Sequence, residues 1–72
     1  MSRITALGGW TELAGYALAG VEVVDVRDPE AVRGAWEGLP DDVAVVLLTA
    51  EARRALPDPI LPHERLWAVL PA

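Results

Sequence analysis

The stretch Val43-Ala44-Val45-Val46-Leu47-Leu48-Thr49 decides the fold of this chain, because six apolar residues in a row lead directly into a helical pattern. A strand that is apolar on both faces must be covered on both sides, which is typical of a central strand in a parallel sheet. The helical pattern that follows Thr49 supplies one of these covers. The stretch therefore predicts an α/β architecture.

Three more strands and two more helices are predicted around this central strand. Asp28-Pro29-Glu30 is a strong helix start, since a capping carboxylate precedes a proline at the first helical position and an acid in the first turn. Thr11 and Thr49 are expected to cap the first and last helices, and Pro57 to stop the last one. In chain order we predict a strand at 4–7, a helix at 11–19, a strand at 21–26, a helix between 28 and 38, a strand at 43–48, a helix between 49 and 57, an extended proline-rich connection at 57–62 and a strand at 66–70.

Strands that alternate with helices over such short connections imply right-handed βαβ units and a parallel sheet. Glu22 and Asp25 interrupt the apolar run of the second strand, which therefore suits an edge position. With the apolar first and third strands in the centre, the strand order becomes 2-1-3-4. This is a small flavodoxin-like (Rossmann-like) sheet with helices on both faces. We expect residues 1–72 to form this single α/β domain, with one face near the fourth strand poorly covered.

Composition excludes several classes of function. The 72 residues include no cysteine, which excludes disulfides and thiolate metal sites, and one histidine, which excludes a histidine-rich metal site. The net charge of -5 leaves no basic stripe for binding nucleic acid. No apolar run approaches the roughly 18 residues that span a bilayer, so direct membrane insertion is not expected. The pattern indicates no targeting signal and no cofactor.

Two groups of residues are candidates for chemistry. Gly8-Gly9 ends the first strand, where doubly wound folds often bind phosphate, but the pair lacks the third glycine of a dinucleotide-binding pattern and the lysine of a P-loop. A tight turn is therefore the favoured interpretation. Asp25, Arg27 and Asp28 cluster at the end of the second strand. Asp28 is explained as a helix cap, and Asp25 is either a solvated acid or a partner for Arg27.

Three tryptophans stand in a chain without phenylalanine. Trp36 belongs to the apolar stripe of the second helix and is expected in the core. Trp10 follows the glycine turn and is a candidate anchor for a partner, since tryptophan is enriched at protein interfaces. Trp67, on the last strand, is either core or anchor. His63, in the proline-rich connection, is expected to be exposed.

Residues 21–31, VEVVDVRDPEA, resemble the rhodanese domain, which carries a similar Asp-Val-Arg after a strand. That family places a nucleophilic cysteine after a later strand, whereas this chain has Leu47-Leu48-Thr49-Ala50 there, so sulfur transfer is excluded. A response-regulator receiver has a similar topology, but it needs acids after the first strand and an acceptor Asp after the third. This chain has Gly8-Gly9 and Thr49 at those places. A degenerate rhodanese-like or receiver-like module that binds a small anion at its helix N-termini is one alternative.

Residues 15–23, GYALAGVEV, resemble the corresponding segment of the F subunit of the V-type/A-type rotary ATPases. That family also opens with a short strand and a glycine turn. Its central strand ends in Thr-Glu-like residues, matched here by 43–51, and its final strand resembles 66–71. The match covers nearly the whole chain in order and spacing. This chain has Gly9 where the family has an acid, and it ends where family members continue into a C-terminal helix, so the resemblance is to a short form.

The resemblance implies a noncatalytic component of the central rotor stalk, which would influence the coupling of ATP turnover to ion movement. Such a protein is cytoplasmic, is peripheral to the membrane through the ATPase complex, and binds the coiled-coil stalk subunit. The charge of -5 fits a partner with a basic surface. A homodimer through the fourth strand or the uncovered sheet face is another possibility. We expect the protein interface at the C-terminal ends of the strands and the adjoining turns, with the candidate residues Gly8, Gly9, Trp10, Arg27, Thr49, Glu51 and Trp67.

Overall fold

The computed structural model of the protein describes residues 3–56 and 66–71, which form one four-stranded sheet and three helices. The strands lie in the order β2-β1-β3-β4, and every neighbouring pair is parallel. The α/β fold and the predicted 2-1-3-4 order are therefore confirmed, with the second strand at an edge. In chain order the elements are β1 (Arg3–Gly8), α1 (Trp10–Leu18), β2 (Glu22–Asp25), α2 (Pro29–Glu37), β3 (Val43–Leu48), α3 (Ala50–Ala55) and β4 (Leu66–Val69).

The helix starts differ in part from the predicted ones. Thr49 caps α3 as predicted, and its Oγ1 accepts a hydrogen bond from the Ala52 N–H at 3.1 Å. Asp28 is the N-cap residue of α2, but its side chain makes no capping hydrogen bond. The prediction that Thr11 caps α1 is wrong, since the helix begins at Trp10 and Gly9 is its N-cap residue. The predicted stop at Pro57, the extended connection and the exposure of His63 lie outside the described residues.

The larger core lies between one face of the sheet and the helices α2 and α3. Neighbouring strands contribute residues in register, since Leu7 on β1 stands beside Leu48 on β3 and both are fully buried. Trp36 on α2 is 4% exposed, which confirms its predicted place in the core. The buried members of this cluster are Leu7, Val32, Trp36, Val43, Val46, Leu48, Ala52 and Leu56.

The opposite face is covered by α1 alone among the described residues, and α1 packs against β2 and β1. Leu13 and Ala6 are fully buried there. Leu18, the last residue of α1, is 93% exposed.

Beyond α1, the strands β1, β3 and β4 carry a row of apolar side chains at matching register positions, which we call the open row: Ile4, Val45 and Leu66. Ile4 is 43% and Leu66 is 72% exposed, whereas Val45 is half-buried. The expected poor cover near the fourth strand is therefore present in the part of the chain that the structure describes. The central strand β3 is fully covered on one face and only partly covered on the other.

The edge formed by the starts of the strands is held by one arginine. Arg3 donates from Nε and Nη2 to the Glu22 carboxylate at 2.8 and 3.2 Å, and from Nη1 to Asp42 at 3.0 and 3.2 Å. The hydrogen bonds to Glu22, followed by those to Asp42, raise the pKa of Arg3 above its usual value. This guanidinium joins the beginning of β1 to β2 and to the turn before β3.

Candidate protein-binding edge

The turns after β1 and β3 lie against each other at the other edge of the sheet. The Thr49 N–H donates to the Leu7 carbonyl at 3.2 Å, which continues the strand pairing into the turn. Gly8 has a φ of +152°, and a Cβ added there would collide with the Thr49 side chain. Glycine at position 8 is therefore required by both backbone conformation and space. Gly8 is buried and Thr49 is only 3% exposed, so neither residue presents a side chain to a partner at this edge.

Asp25, at the end of β2, holds the beginning of α1. Its Oδ1 accepts a hydrogen bond from the Trp10 N–H at 2.9 Å and lies 3.8 Å from Arg27 Nε. An N–H at the start of a helix is one of the donors by which such a terminus binds anions. Since a carboxylate of the protein already occupies this donor, the geometry argues against a small-anion site at Gly8-Gly9.

Arg27 lies across the glycine turn. A Cβ added to Gly9 would stand 3.2 Å from Arg27 Nε and 3.7 Å from Glu12 Oε1. Gly9 is buried under these side chains, whereas the Arg27 side chain itself is 67% exposed. The arginine therefore fills much of the space that a longer residue at position 9 would need.

The candidate residues fall into two places. The residues at the ends of β1, β2 and β3 lie together and form what we call the binding edge: Gly8, Gly9, Trp10, Arg27, Thr49 and Glu51. The Trp10 side chain is 46% exposed, and Glu51 is also exposed. Trp67 lies apart from the edge, midway along β4, where the Arg53 guanidinium sits 5.2 Å above the centre of its ring. Trp67 is 36% exposed, so it is neither fully core nor freely accessible.

Two hollows open at the binding edge and share Glu51 and Arg54. The first, of about 390 Å³, is the glutamate hollow, lined by Glu12, Tyr16, Thr49, Ala50, Glu51, Arg54, Leu70 and Pro71. The second, of about 350 Å³, is the arginine hollow, lined by Arg27, Pro29, Arg33, Glu51, Arg54 and Ala55. Sequence reasoning missed Arg33 and Arg54, because no spacing along the chain indicates that they meet Arg27.

Residues 3–56 and 66–71 contain neither a candidate metal site nor a membrane-spanning helix. No group of three or more His, Cys, Asp or Glu side chains there could hold a metal ion. None of the helices in this part of the chain has the length and apolar character needed to cross a membrane.

Comparison with known proteins supports the fold of this chain but does not establish its function. Neither protein-family models nor curated proteins match the chain. Among solved structures, the F subunit of the V-type ATP synthase from Archaeoglobus fulgidus superposes with a TM-score of 0.71 at 23% sequence identity. The alignment covers 93% of this chain and 96% of that one. The chain therefore has the fold of a V-type ATP synthase F subunit, the family that its sequence resembles.

Proposed function

We propose that this chain is a noncatalytic component of the central stalk of a V-type or A-type ATPase, similar to the F subunit, and that it acts by binding the coiled-coil stalk subunit. The observation that carries the proposal is the likeness to a V-type ATP synthase F subunit over 93% of the chain. The GYALAGVEV segment at residues 15–23 resembles the same family. In this role the protein is cytoplasmic and reaches the membrane only through the ATPase complex.

The proposed contact surface is the binding edge, where Trp10, Arg27 and Glu51 present exposed side chains. The buried Gly8, Gly9 and Thr49 contribute only to the shape of this edge. Trp10 presents a large, half-exposed aromatic side chain there, and its backbone is fixed by the hydrogen bond to Asp25. An aromatic residue on a rigid element gives contact area at little cost in conformational entropy. The glutamate hollow at the same edge of the sheet is lined by Glu12 and Glu51, for which the described residues provide no ion-pair partner. These carboxylates suit a stalk helix with basic side chains.

Co-expression with the same organism's coiled-coil stalk subunit tests this proposal, with size exclusion and light scattering as the measurement. A stable complex with one copy of each chain is the expected result. Trp10→Ala should weaken the complex. Leu18→Ala is the control and should leave the complex unchanged, because Leu18 is also a large, exposed apolar residue of α1 but lies at the end of the helix away from the binding edge. Two separate peaks for the wild-type chains would contradict the stalk role.

A second candidate function is self-association through β4. All four residues of this edge strand are exposed, and the open row continues onto it at Leu66. Nothing in the described part of the chain pairs with the outer edge of β4, and such an edge can pair with a second copy. The same light-scattering measurement on the chain alone separates this homodimer from the stalk complex.

A further inference from the structure

We propose that the arginine hollow is a binding site for an acidic protein segment, in which carboxylate side chains of the partner are held by Arg27, Arg33 and Arg54. This inference does not depend on the stalk role, because it names only the chemistry of the partner. It also differs from the small-anion site considered for the glycine turn, since it lies at other residues.

The first argument is the distribution of charge. The chain carries six Lys or Arg residues against eleven Asp or Glu residues, yet three arginines line this one hollow. They come from three different places in the fold: Arg27 from the turn after β2, Arg33 from α2 and Arg54 from α3. Glu51 also lines the hollow, so the fold brings three positive charges and one negative charge together here, in a protein whose net charge is -5. The excess of arginine over glutamate at this spot is complementary to an acidic partner.

The second argument is that these guanidinium groups have hydrogen-bond donors to spare. Arg33 donates from Nη1 to the Ala55 carbonyl at 3.3 Å, and Arg27 Nε lies 3.8 Å from Asp25. Within residues 3–56 and 66–71, no carboxylate forms an ion pair with Arg33 or Arg54. Arg3 gives the contrast inside the same chain, because two carboxylates hold it in four hydrogen bonds. A guanidinium with free donors binds a carboxylate through two parallel hydrogen bonds.

The third argument favours a protein segment over a small anion. The Arg27 side chain is 67% exposed, and Arg33 and Arg54 are also exposed, so water and salt screen the attraction for any single ion. A segment with several carboxylates contacts all three arginines at once, and its contacts act together.

Nuclear magnetic resonance of the arginine side-chain Nε–Hε groups tests the proposal on the whole chain. The probe is a synthetic alanine-rich helical peptide with glutamate at every fourth position, and its control has glutamine at the same positions. We expect the glutamate peptide to shift the signals of Arg27, Arg33 and Arg54, to leave Arg3 unshifted, and to lose affinity as salt is added. Binding in this pattern runs against the overall charge of -5 and therefore reports a local site.

Two variants with the same change of charge show whether the hollow is responsible. Arg54→Gln should lower the affinity about fivefold, the upper range for one exposed ion pair. Arg53→Gln is the matched control on the same helix, since Arg53 lies over Trp67 and does not line the hollow, and it should change the affinity less than about twofold. The backbone amide spectrum of each variant shows that it is folded.

Three results would overturn the proposal: no shift with the glutamate peptide, equal shifts with the glutamine peptide, or equal losses in the two variants. In a final titration, inorganic phosphate at the same concentration replaces the peptide, and the same arginine side-chain signals are measured. If phosphate produces the same shifts as the peptide, the hollow is a small-anion site and the assignment to a protein segment fails.

Discussion

Gly8 is the residue at which this fold tolerates a side chain least. Its φ of +152° is a conformation that other residues rarely adopt, and the Thr49 side chain occupies the space that a Cβ needs. We predict that Gly8→Ala lowers the free energy of unfolding by about 2 kcal/mol, which is typical for strain at such a position. Urea denaturation followed by tryptophan fluorescence measures the change.

Gly15 is the matched control for this prediction. It lies inside α1, and a Cβ added there meets no atom within 4 Å. Gly15→Ala should raise the free energy of unfolding by about 0.5–1 kcal/mol, because alanine loses less backbone entropy than glycine in a helix. Equal effects of the two substitutions, in either direction, would contradict the close approach of the two turns.

At the scale of the secondary-structure elements, α3 depends on one hydroxyl. The Thr49 Oγ1 accepts from the Ala52 N–H in a buried position. Thr49→Val keeps the volume of the side chain but removes the oxygen, so we expect a loss of about 1 kcal/mol. Thr49→Ser keeps the oxygen and should preserve the slow hydrogen exchange of the Ala52 amide. A Val variant that is as protected from exchange at Ala52 as the Ser variant would show that the cap is unimportant.

The helix α1 is capped by a residue from another element. Asp25 on β2 binds the Trp10 N–H, whereas Asp28, the N-cap residue of α2, makes no capping hydrogen bond through its side chain. We therefore predict that Asp25→Ala costs about 1 kcal/mol of unfolding free energy and Asp28→Ala clearly less. Thermal unfolding of the two variants under the same conditions decides the order. A larger loss in Asp28→Ala would mean that the local sequence pattern, rather than the long-range contact, stabilises the helix start.

This difference explains which parts of the elements could be predicted from sequence. The spacing of apolar residues and the residues that start or stop a helix are local features of the sequence. The seven elements and the cap at Thr49 were therefore predictable from adjacent residues. The start of α1 was displaced from Thr11 to Trp10 because its donor is satisfied by Asp25, fifteen residues further along the chain. No local pattern contains that partner. Capping by a distant side chain is therefore the point at which sequence reasoning fails here.

At the scale of the whole molecule, strand order could be predicted because burial follows apolar content. This holds for β1 and β3, which are rich in apolar residues and lie in the centre, and for β2, which is interrupted by Glu22 and Asp25 and lies at an edge. It does not hold for β4, whose four residues are all apolar although the strand lies exposed at the other edge. That the residues at the ends of β1, β2 and β3 lie together was predictable as well, because the ends of parallel strands meet, whereas their role in binding a partner stays a prediction. The arginine hollow was not predictable, since residues 27, 33 and 54 lie far apart in the sequence and are brought together only by the tertiary fold, in which α2 packs against α3.

The open row gives a prediction about the molecule as a whole. Ile4, Val45 and Leu66 form an apolar strip at matching positions of three neighbouring strands, and exposed strips of this kind favour association. We expect the average mass of the isolated chain, measured by light scattering, to rise with concentration, and Leu66→Lys to suppress that rise. Leu18→Lys is the control, because Leu18 is more exposed than Leu66 but stands alone at the end of α1. Equal masses for the wild type and Leu66→Lys at every concentration would show that the open row does not drive self-association. Suppression by Leu18→Lys as well would show that added charge, rather than loss of the strip, keeps the copies apart.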